Sequence, residues 1–174
     1  MAGCIHVYCG DGKGKTTAAL GLAVRAAGRG RKVLIARFLK TDDSGEVMAL
    51  RNIPEITVLP CEKTFGFYFQ MTEEDKKEAA LYYDGLLEKA FSRLETMPEG
   101  MLVLDEIMAA CNYGLTDEEK LLRLLKERPQ QTEVILTGRN PSKAILCAAD
   151  YVSEIQKVKH PFDRGIQARK SIEY

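Results

Sequence analysis

Ile5-His6-Val7-Tyr8-Cys9, followed at once by Gly10-Asp11-Gly12-Lys13-Gly14-Lys15-Thr16-Thr17, sets the architecture of this chain. The first five residues read as a short strand, and the next eight as a glycine-rich turn. From Thr16 an Ala/Leu-rich run continues to Ala27, where Gly28 and Gly30 suit a helix stop. Strand, glycine loop and helix in that order form the context a phosphate-binding loop requires. Glycines let the backbone curl until its N–H groups point at one anion, and the helix adds its positive N-terminal end. Lys15 offers a mobile cation for the outer phosphates, and the Thr16 hydroxyl a ligand for Mg²⁺. The expected ATP-contacting set is therefore Gly10, Asp11, Gly12, Lys13, Gly14, Lys15, Thr16 and Thr17. The loop is a variant, because Cys9 stands where the usual pattern has its first glycine and Gly10 comes one place later.

Beyond this stretch, strand and helix signals alternate. Strands are expected at Lys32 to Phe38, Ile56 to Leu59, Met101 to Asp105, Thr132 to Thr137 and Tyr151 to Ile155. A helix should open at Thr72, whose followers Glu73, Glu74 and Asp75 suit a first turn, and run to about Thr96. Thr116 and Glu119 form a capping-box pattern for a helix reaching about Glu127. Ser142 to Ala149 reads as a short helix. Apolar strands alternating with helices imply a mainly parallel sheet covered on both faces, with ligands beyond the carboxyl ends of the strands. The expectation is one α/β domain over residues 1–174, a three-layer P-loop NTPase-like (RecA-like) fold.

Two more groups sit at strand ends. Leu102-Val103-Leu104-Asp105-Glu106 matches a Walker B strand, whose carboxylates hold Mg²⁺ beside a phosphate loop. The expected metal set is thus Thr16, Asp105 and Glu106. Arg139, after Gly138, either binds phosphate or braces a loop. His6 alternates with apolar neighbours and reads as packed or hydrogen-bonded. Neither histidine lies in a recognisable nucleophile–base arrangement, so no acid, base or nucleophile is assigned.

Composition bounds the rest. The 174 residues are 45% hydrophobic and 29% charged, which is ordinary for a folded domain. No apolar run approaches the ~18 residues of a membrane span, and the first residues lack the basic flank and apolar stretch of a secretory signal. The expected location is the cytoplasm, with no membrane partner. Charge is balanced at 25 against 25 but segregated: residues 1–40 carry +7, residues 41–120 carry −11 and residues 121–174 carry +4. Basic ends converging on an anion and merely solvated faces remain equal readings, and the neutral total argues against a nucleic-acid partner. The five cysteines lack metal-ligand spacing, so reduced thiols buried as small apolar residues are expected.

Taken together, the chain resembles the P-loop corrinoid (cob(I)alamin) ATP:adenosyltransferases. The resemblance is carried by Gly10 to Ala19, Val103 to Glu106, Thr137-Gly138-Arg139, Ala149-Asp150 with Val152 and Glu154, Lys159-His160 with Phe162, and Ile172-Glu173-Tyr174. It implies transfer of the 5′-deoxyadenosyl group of ATP to the Co(I) of a reduced corrinoid, giving an adenosylcobalamin-type cofactor and triphosphate. It also implies ATP bound with its phosphate order reversed, Mg²⁺, an electron donor such as a flavoprotein, and a homodimer. An aromatic pair beside the corrinoid is expected at Phe67 and Phe69. The alternative for this stretch is a loop aromatic that anchors the core.

Four departures from the family pattern stand out. Asp11 replaces a usual Asn, Phe69 a Trp of some relatives, and Ser171 a usual Gly; the chain also begins almost at its first strand, without the N-terminal extension of longer members. The competing readings are a P-loop ATPase or small-molecule kinase, and a nucleotide-binding regulatory module.

Overall fold

The computed structural model describes residues 2–172. Its six strands are β1 (Ile5–Cys9), β2 (Val33–Arg37), β3 (Ile56–Val58), β4 (Met101–Asp105), β5 (Glu133–Thr137) and β6 (Tyr151–Glu154). Six α-helices intervene: α1 (Lys15–Ala27), α2 (Gly45–Leu50), α3 (Glu73–Ser92), α4 (Ile107–Asn112), α5 (Glu118–Glu127) and α6 (Lys143–Ala148). The strands form one sheet in the order β3-β2-β4-β5-β1-β6. Every strand pairing is parallel, so the expected mainly parallel sheet is parallel throughout the described residues.

Strand periodicity explains the three layers. In β2, Leu34 and Ala36 join a core cluster with α3, α4, α5 and α6, whereas Val33 and Ile35 join a second cluster with α1 and α2. Successive side chains point to opposite faces, so a strand covered on both faces must be apolar at nearly every position. The central strands β2 and β4 are buried along their whole length. The edge strand β6 is exposed at all four residues.

Local chemistry fixes the helix ends. Thr72 Oγ1 accepts the Asp75 amide (3.1 Å) and the Asp75 carboxylate accepts the Thr72 amide (2.9 Å), closing a capping box at the start of α3. Ser142 caps α6 by accepting the Ile145 amide. The expected Thr116 cap is displaced by one residue: Asp117 accepts the Glu119 amide at 2.9 Å. Leu115 and Thr116 are instead drawn into the core, each at most 4% exposed. The expected helix to Thr96 ends as an α-helix at Ser92 and continues as a 3-10 turn. Helices α2 and α4, six residues each, were outside the sequence expectation. Among the described residues no helix is long and apolar enough to cross a membrane.

The cysteines depart from the expectation. All five are free, but only Cys9 is buried; Cys4, Cys61 and Cys111 are intermediate and Cys147 is exposed. Cys147 lies on a short helix that contributes only Ile145 to its buried side, so its thiol faces outward.

Candidate nucleotide and metal site

The site is built where β1, β4 and β5 end. Because β5 lies between β1 and β4, Thr137 at its end falls between the glycine loop and Asp105. Register places Tyr8 opposite Thr137 and Arg37 opposite Asp105.

The loop is held from below. The Cys9 carbonyl accepts the Ile155 amide (2.8 Å), and the Ile155 carbonyl accepts the Gly12 amide (2.7 Å). A Cβ at Gly10 would lie 2.4 Å from the Ile155 carbonyl oxygen, and the backbone there has φ +104°. Only glycine fits both constraints. Gly14 caps α1 at φ +115°, and the first turn of α1 carries no acidic residue. The helix therefore adds no carboxylate of its own to the end that would meet an anion.

Lys15 is 7% exposed and its ammonium donates to the Gly12 carbonyl (2.9 Å). Burial lowers its pKa; Arg139 acts in the same direction, while Glu106 and Asp11 oppose it. Arg139, Glu106 and Asp11 are thus the charged groups that act on the Lys15 ammonium. The Lys13, Thr17 and Arg139 side chains are exposed around it. Asp11 does not face an anion alone: its carboxylate accepts the Lys157 amide (2.9 Å), which holds its pKa below the ordinary range. The loop is thereby tied to the segment after β6. In that segment His160 Nδ1 accepts the Phe162 amide (3.2 Å) and caps a 3-10 turn.

Asp105 is fully buried. Its Oδ1 accepts two hydroxyl protons, from Thr16 (2.8 Å) and Thr137 (2.7 Å). Its Oδ2 accepts the Lys40 ammonium (2.6 Å), which also donates to Thr16 Oγ1 at 3.0 Å. Glu106 takes a left-handed backbone (φ +61°) at the start of α4, and its amide donates to Thr137 Oγ1. Burial raises the Glu106 pKa, with Asp105 adding to the effect and Lys40, Lys15 and Arg139 opposing it. Thr16 and Asp105 thus meet at one point, already held by a cation, with Glu106 alongside. Hard oxygen donors around a positive charge are the donor chemistry Mg²⁺ takes, so these residues fit the metal.

Sequence reasoning missed Lys40, Thr137 as a ligand of Asp105, and Arg37. Lys40 follows Leu39, whose φ of +57° is left-handed; for a residue other than glycine this costs about 1–2 kcal/mol. The available signal was position: Lys40 lies just past the end of β2, the place in a parallel sheet where ligands are sought. Arg37 is 2% exposed, and its guanidinium binds the Thr41 carbonyl (2.7 Å), the Asp42 carboxylate and Cys61 Sγ (3.3 Å). It staples the segment carrying Lys40 to the segment leaving β3.

That second segment carries the aromatics. Phe67 is 76% and Phe69 85% exposed, so neither anchors the core. Phe65 and Tyr68 do so instead. Phe65 contacts the rings of Tyr82 and Tyr83, and Tyr68 stacks on Tyr113 at 4.3 Å between centroids. Phe69 meets Tyr113 edge-on at 6.0 Å. Tyr113 follows α4, so the aromatic segment and the acidic strand end share a support. Ser171 has φ +67°, a conformation that glycine adopts without strain. Of the closing Ile172-Glu173-Tyr174 motif, Glu173 and Tyr174 lie outside the described residues.

Comparison with known proteins gives a consistent picture. Residues 1–174 match the family described as ATP:corrinoid adenosyltransferase BtuR/CobO/CobP. Corrinoid adenosyltransferase from Escherichia coli K12 is 38% identical over 174 residues, covering 99% of this chain and 86% of that protein. The corrinoid adenosyltransferase of Pseudomonas aeruginosa is 32% identical over 173 residues, covering 99% and 84%. Among solved structures, EssC (ATPases 2 and 3) from Geobacillus thermodenitrificans aligns with a TM-score of 0.53 at 13% identity, over 97% of this chain and 35% of that one. The last likeness concerns the fold.

Proposed function

The chain belongs to the ATP:corrinoid adenosyltransferase family, and on that premise we propose how its residues carry out the ATP-dependent adenosylation of a corrinoid. Gly10 to Thr17 bind the phosphates of ATP, with Lys15 and Arg139 supplying positive charge. Thr16, Asp105 and Glu106 hold Mg²⁺, which supplies charge neutralisation on the triphosphate. Phe67 and Phe69 contact the corrinoid. The observation that carries this reading is the meeting of the glycine loop with the buried Asp105 at one end of the sheet, through Thr16 Oγ1 at 2.8 Å.

Co(I) is a strong nucleophile, so this chain needs no activated Ser, Cys or His. The cobalt electron pair forms the bond to the ribose 5′ carbon, and the carbon–oxygen pair leaves with triphosphate. The protein's work is alignment and stabilisation of the leaving charge. Making Co(I) is the harder step: each ~59 mV by which a site raises that one-electron potential changes the reduced fraction about tenfold. Exposed Phe67 and Phe69 serve that step by disfavouring the lower ligand of the cobalt. A flavoprotein-type electron donor, a homodimeric assembly and a cytoplasmic location complete the proposal.

The test is anaerobic mixing of protein, ATP, Mg²⁺ and reduced cobalamin, followed optically with the phosphate products identified. Formation of the alkylated corrinoid with triphosphate is expected. ADP with phosphate would establish an ATPase or kinase instead, and no product a binding module.

A further inference from the structure

The cation seat at Asp105 is built asymmetrically. Oδ1 of this fully buried carboxylate is saturated by two hydroxyl donors, Thr16 and Thr137. That leaves Oδ2 for a cation. Thr16 spends its one proton on Oδ1, so the lone pairs of Oγ1 are left to accept. Both free acceptors converge on the Lys40 ammonium, at 2.6 and 3.0 Å. The chain is shaped to deliver that ammonium. Leu39 holds a left-handed backbone, the Phe38 amide donates to the Asp105 carbonyl (2.9 Å), and buried Arg37 fixes the Thr41 carbonyl beyond.

We infer that Lys40 is a positioning residue that occupies the Mg²⁺ seat until the nucleotide arrives, so that the metal enters only together with the phosphates of ATP. The inference rests on the metal reading proposed above. Mg²⁺ would take the same two oxygens that now accept the ammonium, so the two cations compete for one seat. The triphosphate changes the balance: it brings oxygen ligands for the metal and negative charge for the displaced ammonium, whose four-carbon stem is flexible. A protein arranged in this way ignores free divalent cations and responds to the metal–nucleotide complex.

The test measures Mn²⁺ binding by electron paramagnetic resonance, with and without a non-reacting ATP analogue. It uses the full-length protein, Lys40→Met, Lys40→Gln and Lys40→Arg, each checked for folding by thermal melting. Wild type should bind Mn²⁺ strongly only with the analogue. The Met and Gln variants should bind it without nucleotide about tenfold or more tightly than wild type, whereas Arg should keep the exclusion. Adding Asp105→Asn to Lys40→Gln should abolish the gain. Folded Met and Gln variants with wild-type Mn²⁺ affinity would overturn the inference and leave Lys40 a structural ion pair. If Asp105→Asn alone left Mn²⁺ binding with the analogue unchanged, the metal assignment itself would fall, and this inference with it.

Discussion

Two regions at the carboxyl end of the sheet are built in opposite ways. The glycine loop and the end of β4 are cross-braced by short contacts: Lys15 to Gly12, and Thr16 and Thr137 to the buried Asp105, whose other oxygen takes the half-buried Lys40. The segment from Cys61 to Gln70 has no strand and one three-residue 3-10 turn, and it presents Phe67 and Phe69 to solvent. Rigid braces suit a small, highly charged ligand that must be held in one alignment, the triphosphate. Exposed aromatics on an irregular segment suit a large flat ligand that supplies the missing packing. That difference supports the proposed division, with nucleotide positioning in the first region and corrinoid chemistry in the second.

The largest expected effect is on the braced side. Asp105→Ala removes the acceptor of three donors and the partner of Lys40, which costs about 3 kcal/mol, the low end for a buried pair because the Lys40 side chain is partly exposed. At roughly 2–4 °C per kcal/mol for a chain of this size, calorimetry should show a melting point lower by about 10 °C. An unchanged melting point would break the contrast. Lys15→Ala should leave melting nearly unchanged and weaken ATP binding by about tenfold to a hundredfold, the equivalent of a charge-assisted contact of roughly 1.5–3 kcal/mol. Titration showing wild-type affinity would remove the loop from the phosphate site. At limiting Mg²⁺, full activity of both Asp105→Asn and Glu106→Gln would likewise remove the metal assignment.

The aromatic segment divides within itself. Phe65→Ala should destabilise by roughly 1–2 kcal/mol, because its ring packs on Tyr82 and Tyr83. Phe69→Ala should stay within about 0.5 kcal/mol of wild type, as exposed substitutions do. Chemical denaturation of the two variants separates the anchor from the exposed ring, and equal losses would contradict the division.

Thiol alkylation gives the smallest and finest contrast. Burial pushes the Cys61 thiol to about 11 and the Cys111 thiol to about 12. A raised pKa means less thiolate at any lower pH, roughly one part in a thousand for Cys61 at pH 8. Exposed Cys147 should therefore react first, well before Cys61, Cys111 and the buried Cys9. Early labelling of Cys61 would mean that the Arg37 staple opens readily.

What the sequence made legible follows from locality. The strands from β1 to β6 and the glycine loop are runs whose own residues state their preference, and Thr72 and Ser142 announce their caps within three residues. Helices α2 and α4 are shorter than two turns, too brief for an apolar stripe to repeat. The shift of the cap from Thr116 to Asp117 depends on how deeply Leu115 packs, which no neighbouring residue reports. Lys40 was invisible for a stronger reason. Its contact with Asp105 spans 65 residues and needs both the β2–β4 register and a left-handed Leu39. The Cys61 staple is equally nonlocal. The site's backbone could be read from the chain, whereas its ion pairs required the fold.

In the proposed division of labour, the braced region positions ATP while Phe67 and Phe69 act on the corrinoid before adenosyl transfer. The most direct measurement compares two assays on the double variant Phe67→Ala, Phe69→Ala, with folding checked independently. One assay starts from Co(II) corrinoid with a reductant, the other from corrinoid supplied already as Co(I). If the aromatics disfavour the lower ligand, the Co(II) assay should fall by about tenfold or more, the change that ~59 mV produces. The Co(I) assay should fall much less, and ATP affinity should hold. Equal losses in both assays, or none in either, would contradict the division of labour between the two regions.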